Sequence, residues 1–327
     1  MDTASPATAP RSLGAEGSPV SAIGFGCWAI GGPHWRNGDP IGWGEVDDDE
    51  SIAAVRAALD AGITFFDTAD VYGCGHSERV LARALKGHRD EVVIATKFGY
   101  TYDEERRESP GTDASPDYIR RACEASLRRL DADVLDLYQF HLGGEDLSSA
   151  AAVRDTLEDL VSEGKIKAYG WSTDDPERAA FFAEGEHCKA IQQAFNVLGG
   201  NEDTLAVAER DGLASIVRGP LGMGLLTGRM DRDTTFSDSD VRRGWDFSGS
   251  HGDQLGKLER IRDILTADGR TLAQGSLGWL LARSPAFVPI PGIRTVAQAE
   301  ENAGVLAVGP LSSDQLAEID TVLQAAD

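Results

Sequence analysis

Lysine is scarce in this chain, and paired cysteines and long apolar runs are missing. Six of the 31 basic residues are lysine: Lys86, Lys97, Lys165, Lys167, Lys189 and Lys257. The net charge is −23. That excess of acid repels nucleic acid and anionic membrane surfaces. Abundant acid with few lysines fits salt adaptation or an arginine-biased genome. The four cysteines (Cys27, Cys74, Cys123, Cys188) form no C-x-x-C pair, and none has a histidine at zinc-ligand spacing. A zinc module or a disulfide scaffold is therefore not expected, and reduced thiols in a cytoplasmic protein are. No apolar stretch approaches the roughly 18 residues that span a bilayer. The opening "MDTASPATAPRSLG" has no basic segment followed by an apolar one, so no secretory signal is expected. Residues 1–10 read as a disordered tail, and residues 11–327 as one domain.

What is present is a regular alternation. Short apolar runs end in polar residues, and longer amphipathic stretches separate them. The runs are "VSAIGFGCW" near Val20, "ITFFDT", "EVVIATK" (91–97), "VLDLYQFH" (134–141), "IKAYGWS" (166–172), "AIQQAF" (190–195), "ASIVRG" (214–219) and "FVPIPG" (287–292). Between two of them, Val153, Leu157, Leu160 and Val161 recur at helical spacing, and Gly164 ends that helix. Asp113 or Ser115 caps another, with Pro116 in its first turn. A short hairpin around residues 14–18 leads into the first strand. Eight strand–helix units in some 300 residues is the arithmetic of a (β/α)8 TIM barrel. A doubly wound sheet is the competitor. It calls for G-x-G-x-x-G after the first strand, but "GFGCWAIGG" lacks the third glycine.

Two connections are long, residues 100–113 and 230–253. Loops of that length are usually functional or disordered. On a parallel barrel both belong on the rim that holds the chemistry.

Four polar residues stand at or just beyond strand ends: Asp67, Tyr72, Lys97 and His141. Each alone has an ordinary reading as a cap, a packing ring, a solvated strand end or a core histidine. Together, on one rim, they form a coherent set. An ammonium beside a phenol favours the phenolate and makes tyrosine a better proton donor to a developing alkoxide. Asp67 can anchor that ammonium, and a neutral His141 can orient a carbonyl. Cys74, in the same loop as Tyr72, is either a reactive thiol or a small turn residue. His76 and Glu78 are expected to start the next helix.

"FFDTADVYG", "IATKFG", "LYQFH", "YGWS", "RGPLGMGLLTG" and "PIPGIRTVAQAEEN" follow one another along nearly the whole chain. In this order they resemble the aldo-keto reductases. The resemblance implies a barrel that binds a nicotinamide cofactor without a Rossmann fold, and Asp67, Tyr72, Lys97 and His141 as the catalytic tetrad. It places Gly26 and Trp28 beside the cofactor, Trp28 also walling the substrate pocket. Ser172, Thr173 and Gln192 match the carboxamide contacts, with Thr173 standing where the family commonly has asparagine. Arg218 replaces a common stacking aromatic. Gly219, Pro220, Leu221 and Gly224 match the loop over the pyrophosphate. Gly292, Arg294, Thr295, Gln298, Glu301 and Asn302 match the adenosine end. Gly292 and Gln298 stand where some members carry basic residues, which leaves Arg294 to meet a 2′-phosphate. The implied cofactor is NADPH, with NADH the alternative. The implied substrate is a small carbonyl or sugar, reduced to an alcohol. An oxidative sugar or alcohol dehydrogenase, and a cofactor-binding regulatory subunit without catalysis, are the competing readings.

Overall fold

In the computed structural model, residues 8–325 are described. Among them, eight parallel strands form one continuous sheet: β1 (Phe25–Gly26), β2 (Phe65–Asp67), β3 (Val93–Phe98), β4 (Leu135–Phe140), β5 (Ile166–Ser172), β6 (Cys188–Asn196), β7 (Ala214–Arg218) and β8 (Phe287–Pro289). Each pairs with its sequence neighbour. The sheet closes on itself where Gly26 bridges Gly292, with Gly24 N–H donating to Pro289 O (2.8 Å) and Gly26 N–H to Pro291 O (2.9 Å). A Cβ on Gly26 would stand 2.7 Å from Ile290 O, so the seam needs glycine. This is the expected (β/α)8 barrel.

The run near Val20 divides in two. Pro19–Val20 pairs antiparallel with Arg11–Ser12, and only Phe25–Gly26 joins the barrel. The hairpin caps the barrel floor. Leu13 and Val20 pack with Phe65, Ala95, Leu137, Ala190, Ile216 and Val288, the inward side chains of the strands. A second, larger core lies between strands and helices.

The first helices are α1 (Asp48–Asp60), α2 (His76–Ala84), α3 (Pro116–Leu130) and α4 (Leu147–Ser162). After them come α5 (Pro176–Ala183), α6 (Glu202–Arg210), α7 (Ser250–Leu265) and α8 (Leu272–Arg283). The last three are α9 (Val296–Ala303), α10 (Val305–Val308) and α11 (Ser313–Gln324). Ser115 is the residue that caps α3, its hydroxyl accepting from Tyr118 N–H, while Asp113 accepts from Ser115 N–H. No helix among the described residues is long and apolar enough to cross a membrane.

Both long connections are built structures. Residues 100–112 form a hairpin, Tyr100–Asp103 against Glu108–Thr112. It joins a second hairpin, Trp35–Arg36 against Asp39–Pro40, in a four-stranded sheet at the barrel mouth. The segment after β7 reaches across to the segment after β1. Val241 N–H donates to Gly42 O (2.9 Å), and Arg242 lies over the rings of Trp43 (4.6 Å) and Phe236 (4.2 Å).

Candidate active site

β2 ends in Asp67 at the mouth, and the chain then turns sharply through residues 68–75. Tyr72 N–H donates to Ala69 O and Gly75 N–H to Asp70 O, while Asp70 N–H reaches Lys97 O on β3. The turn packs so closely on residue 31 that a Cβ on Gly73 (φ 59°) would overlap Gly31 O. Thr68, Ser77 and the Cys27 carbonyl pin its far end through bonds of 2.9 Å. The Tyr72 ring is thereby fixed to the rim.

Lys97 Nζ donates to Asp67 Oδ1 (2.5 Å), to Thr68 O (2.7 Å) and to Tyr72 Oη (3.3 Å). The other oxygen of Asp67 accepts from Gln139 Nε2 (3.0 Å) and Gln192 Nε2 (2.8 Å). Asp67, Gln139 and Gln192 come from β2, β4 and β6. Alternate barrel strands contribute to one interior layer, which is why these three meet. His141 follows β4, and its ring stands edge-on to Tyr72 (5.8 Å) and Tyr100 (5.2 Å). Trp28 stacks beside Tyr72 at 6.0 Å, with its indole N–H held by Ile41 O. The four chemistry-bearing residues are thus one contiguous cluster.

Burial pulls the Lys97 ammonium down, but the carboxylate of Asp67 and the phenol outweigh it and hold it above its ordinary value. Burial holds the Tyr72 phenol above its usual range, with Lys97 pulling the other way. Burial, then Lys97 and Arg218, push His141 well below the usual imidazole value, so it is neutral at pH 7. Its Nδ1 is buried without a protein partner. Burial raises the Cys74 thiol to about 12, so it is not an activated nucleophile. His76 opens α2 and bonds Asp48 (2.8 Å), and Glu78 is buried against Thr96 and Arg129.

A cavity of about 1120 Å³ runs from this cluster across the mouth to α9. Gly26, Trp28, Ser172, Thr173, Gln192, Arg218, Gly219, Pro220, Leu221, Gly224, Gly292, Arg294, Gln298, Glu301 and Asn302 all line it. Thr295 does not. Its hydroxyl accepts from Gln298 N–H and caps α9, which leaves its own O–H free to donate. Lys97 lies behind Tyr72, fully buried.

Several of these side chains have commitments that sequence could not show. The Thr173 hydroxyl donates to Gly143 O, so only acceptor capacity remains for an amide. Gln192 spends its NH₂ on Asp67 and Gln139, which leaves its oxygen as an acceptor. Arg218 pairs with Asp174 across the end of β6. Arg294 donates to Trp43 O (3.1 Å) and Glu45 O (2.7 Å). Glu301 pairs with Arg229 (2.8 Å). Sequence reading missed His34, Arg36, Trp43, Tyr100, Gln139, Arg229, Phe236 and Arg242. Most sit on the two hairpins and the crossing segment, whose pairing has no local signal. Gln139 alone was within reach, two residues before His141 on an inward strand position.

The sequence profile of the aldo/keto reductase family matches residues 22–324. The chain belongs to the aldo/keto reductase family. It is 32% identical over 324 residues to "Probable aldo-keto reductase 1" of Glycine max, covering 97% of this chain and 90% of that one. It is 31% identical to "Aldo-keto reductase YhdN" of Bacillus subtilis (strain 168) over 96% of this chain and 93% of that one. Among solved structures of family members, the glycerol dehydrogenase AKR11B4 from Gluconobacter oxydans superposes with a TM-score of 0.84 at 31% identity, covering 97% of this chain and 95% of that one. An aldo/keto reductase from Klebsiella pneumoniae in complex with NADP and acetate superposes at 0.70 and 30% identity, covering 97% and 96%.

Proposed function

We propose that this chain reduces aldehydes, ketones or sugar carbonyls to alcohols, with Tyr72 as general acid and NADPH as the hydride source. The observation that carries this reading is the contact of Tyr72 Oη with a buried ammonium, 3.3 Å away, on the wall of the cavity. The residues fit a dinucleotide. Gly219 and Gly292 line the cavity with open space where a Cβ would stand, and Arg229 and Arg294 line its far end. A bound nicotinamide would supply hydride to the carbonyl carbon.

The chain's own groups do the rest. His141, neutral, hydrogen-bonds the carbonyl oxygen and fixes its position. Tyr72 Oη gives its proton to that oxygen as negative charge develops there. Lys97 stabilises the phenolate left behind, and Asp67 balances Lys97. Burial keeps the phenol protonated at neutral pH, the form that reduction requires. The oxidative reading draws its support from the relative described as a glycerol dehydrogenase; the same groups would serve with Tyr72 as base.

The test is turnover of benzaldehyde, glyceraldehyde and a panel of alcohols, with NADPH and NADH side by side, by wild type and Tyr72→Phe. Positioned general acids contribute about 10²–10⁴-fold. The variant should lose about that factor in kcat while NADPH affinity, measured by fluorescence titration, stays within a few-fold. Near wild-type turnover by Tyr72→Phe would make Tyr72 a packing ring and end the tetrad reading.

A further inference from the structure

Five arginines line the cavity: Arg36, Arg218, Arg229, Arg242 and Arg294. Arg218, Arg229 and Arg242 each pair with a carboxylate, and Arg294 is held by two backbone carbonyls. Arg36 differs. Its Nε reaches Ser109 Oγ at 3.4 Å, and its guanidinium lies 4.0 Å above the Tyr100 ring. Among the described residues no carboxylate stands within salt-bridge distance of it, although the chain carries 54 acidic residues. Among the described residues Arg36 is the cavity arginine whose terminal nitrogens make no hydrogen bond to a carboxylate or a backbone carbonyl.

The position is built. Arg36 sits on a strand of the small sheet at the barrel mouth, opposite Asp39 in its own hairpin, and its neighbour Trp35 pairs with Glu108 of the other. Groups on strands are held more tightly than groups on loops. The Tyr100 ring under Arg36 is the ring that meets His141 edge-on at 5.2 Å. One aromatic ring therefore links the guanidinium to the side chain that faces a carbonyl. His34, two residues earlier, lines the same cavity and is 2% exposed. Burial and then the Arg36 charge push it down to about 4, so it stands neutral near the cation.

We infer that Arg36 is the specificity determinant for a substrate that carries an oxyanion, carboxylate or phosphate, a short distance from its reacting carbonyl. The inference rests on the reductase reading above. With the carbonyl oxygen at Tyr72 and His141, the second group would lie beyond Tyr100, a separation of about one substituted benzene ring. A guanidinium takes such a group in a two-pronged hydrogen-bonded pair. Trp28, Tyr100 and Trp43 supply flat apolar walls between the two ends. The net charge of the protein disfavours anions in general, so a local cation is needed for an anionic substrate to be preferred.

The test compares 4-carboxybenzaldehyde with its methyl ester, and glyceraldehyde 3-phosphate with glyceraldehyde, using wild type, Arg36→Met and Arg36→Lys with NADPH. Wild type should favour the charged member of at least one pair by about tenfold or more in kcat/KM, from a charge-assisted bond worth about 1.5–3 kcal/mol. Arg36→Met should abolish that ratio through KM, and Arg36→Lys should keep part of it. The carboxylate and phosphate pairs tell the two oxyanions apart. An equal loss on charged and neutral aldehydes would assign Arg36 to holding the small sheet together. Equal wild-type rates within both pairs would overturn the inference and leave the reductase reading standing. No turnover of any aldehyde would instead overturn the reductase reading.

Discussion

Lys97 Nζ and Asp67 Oδ1 meet at 2.5 Å inside the barrel, with neither side chain more than 2% exposed. Two charges out of water are costly, and each stands because the other is there. The second oxygen of Asp67 accepts from Gln139 and Gln192, so hydrogen bonds from three side chains hold the carboxylate in place. The pair is at once a structural element and the electrostatic support of Tyr72.

Those two roles separate by mutation. Removing one partner of a buried pair costs about 3–5 kcal/mol. Lys97→Met should destabilise the fold by that order in urea denaturation, because Asp67 is left charged and buried. The double variant Asp67→Asn with Lys97→Met should recover most of the stability and none of the activity. A double variant that also recovers turnover would show that Tyr72 needs no ammonium.

Asp70 is a different kind of buried acid. It is 1% exposed, neither carboxyl oxygen has a protein partner, and burial, then Glu78, raise it well above the usual carboxylate range. The unfolded chain releases this proton near pH 4. The folded state holds it to higher pH, so Asp70 opposes folding progressively as pH rises above that point. Asp70→Asn should stabilise the protein at pH 8 by more than the roughly 0.5 kcal/mol scatter of neutral substitutions. The gain should shrink toward pH 4. A gain independent of pH would mean that Asp70 is ionised in the fold.

Under the proposed reading, cofactor choice turns on the cations at the α9 end. Arg294 has two donors spent on Trp43 and Glu45, and Arg229 is paired with Glu301. If Arg294 meets a 2′-phosphate with its remaining donors, Arg294→Ala should weaken NADPH by about ten- to a hundredfold and leave NADH nearly unchanged. Arg229→Ala made in parallel serves as the comparison. Loss of both cofactors alike on Arg294→Ala would place the residue in the loop scaffold, where its carbonyl contacts already lie.

The sequence alone determined the strand–helix alternation, and with it the barrel. Parallel strands buried on both faces must be continuous apolar runs, and the chain writes eight of them. It also determined which residues stand at strand ends, because strand termini are local events. Asp67, Tyr72, Lys97 and His141 were legible for that reason: a parallel barrel sends every C-terminal strand end to one rim. The tertiary structure decided how these groups are spent. Gln192 could be placed at the cavity from sequence, but its NH₂ is taken by Asp67 and Gln139, from strands far away in the chain. Thr295 was placed in the right segment, but that its hydroxyl also caps α9 shows only in the structure. The small sheet that carries Arg36 over Tyr100 joins segments some 70 residues apart through hairpins too short to show alternation. Local pattern fixes an element and its end. Which donor meets which acceptor depends on the three-dimensional register between elements, and no local pattern encodes that.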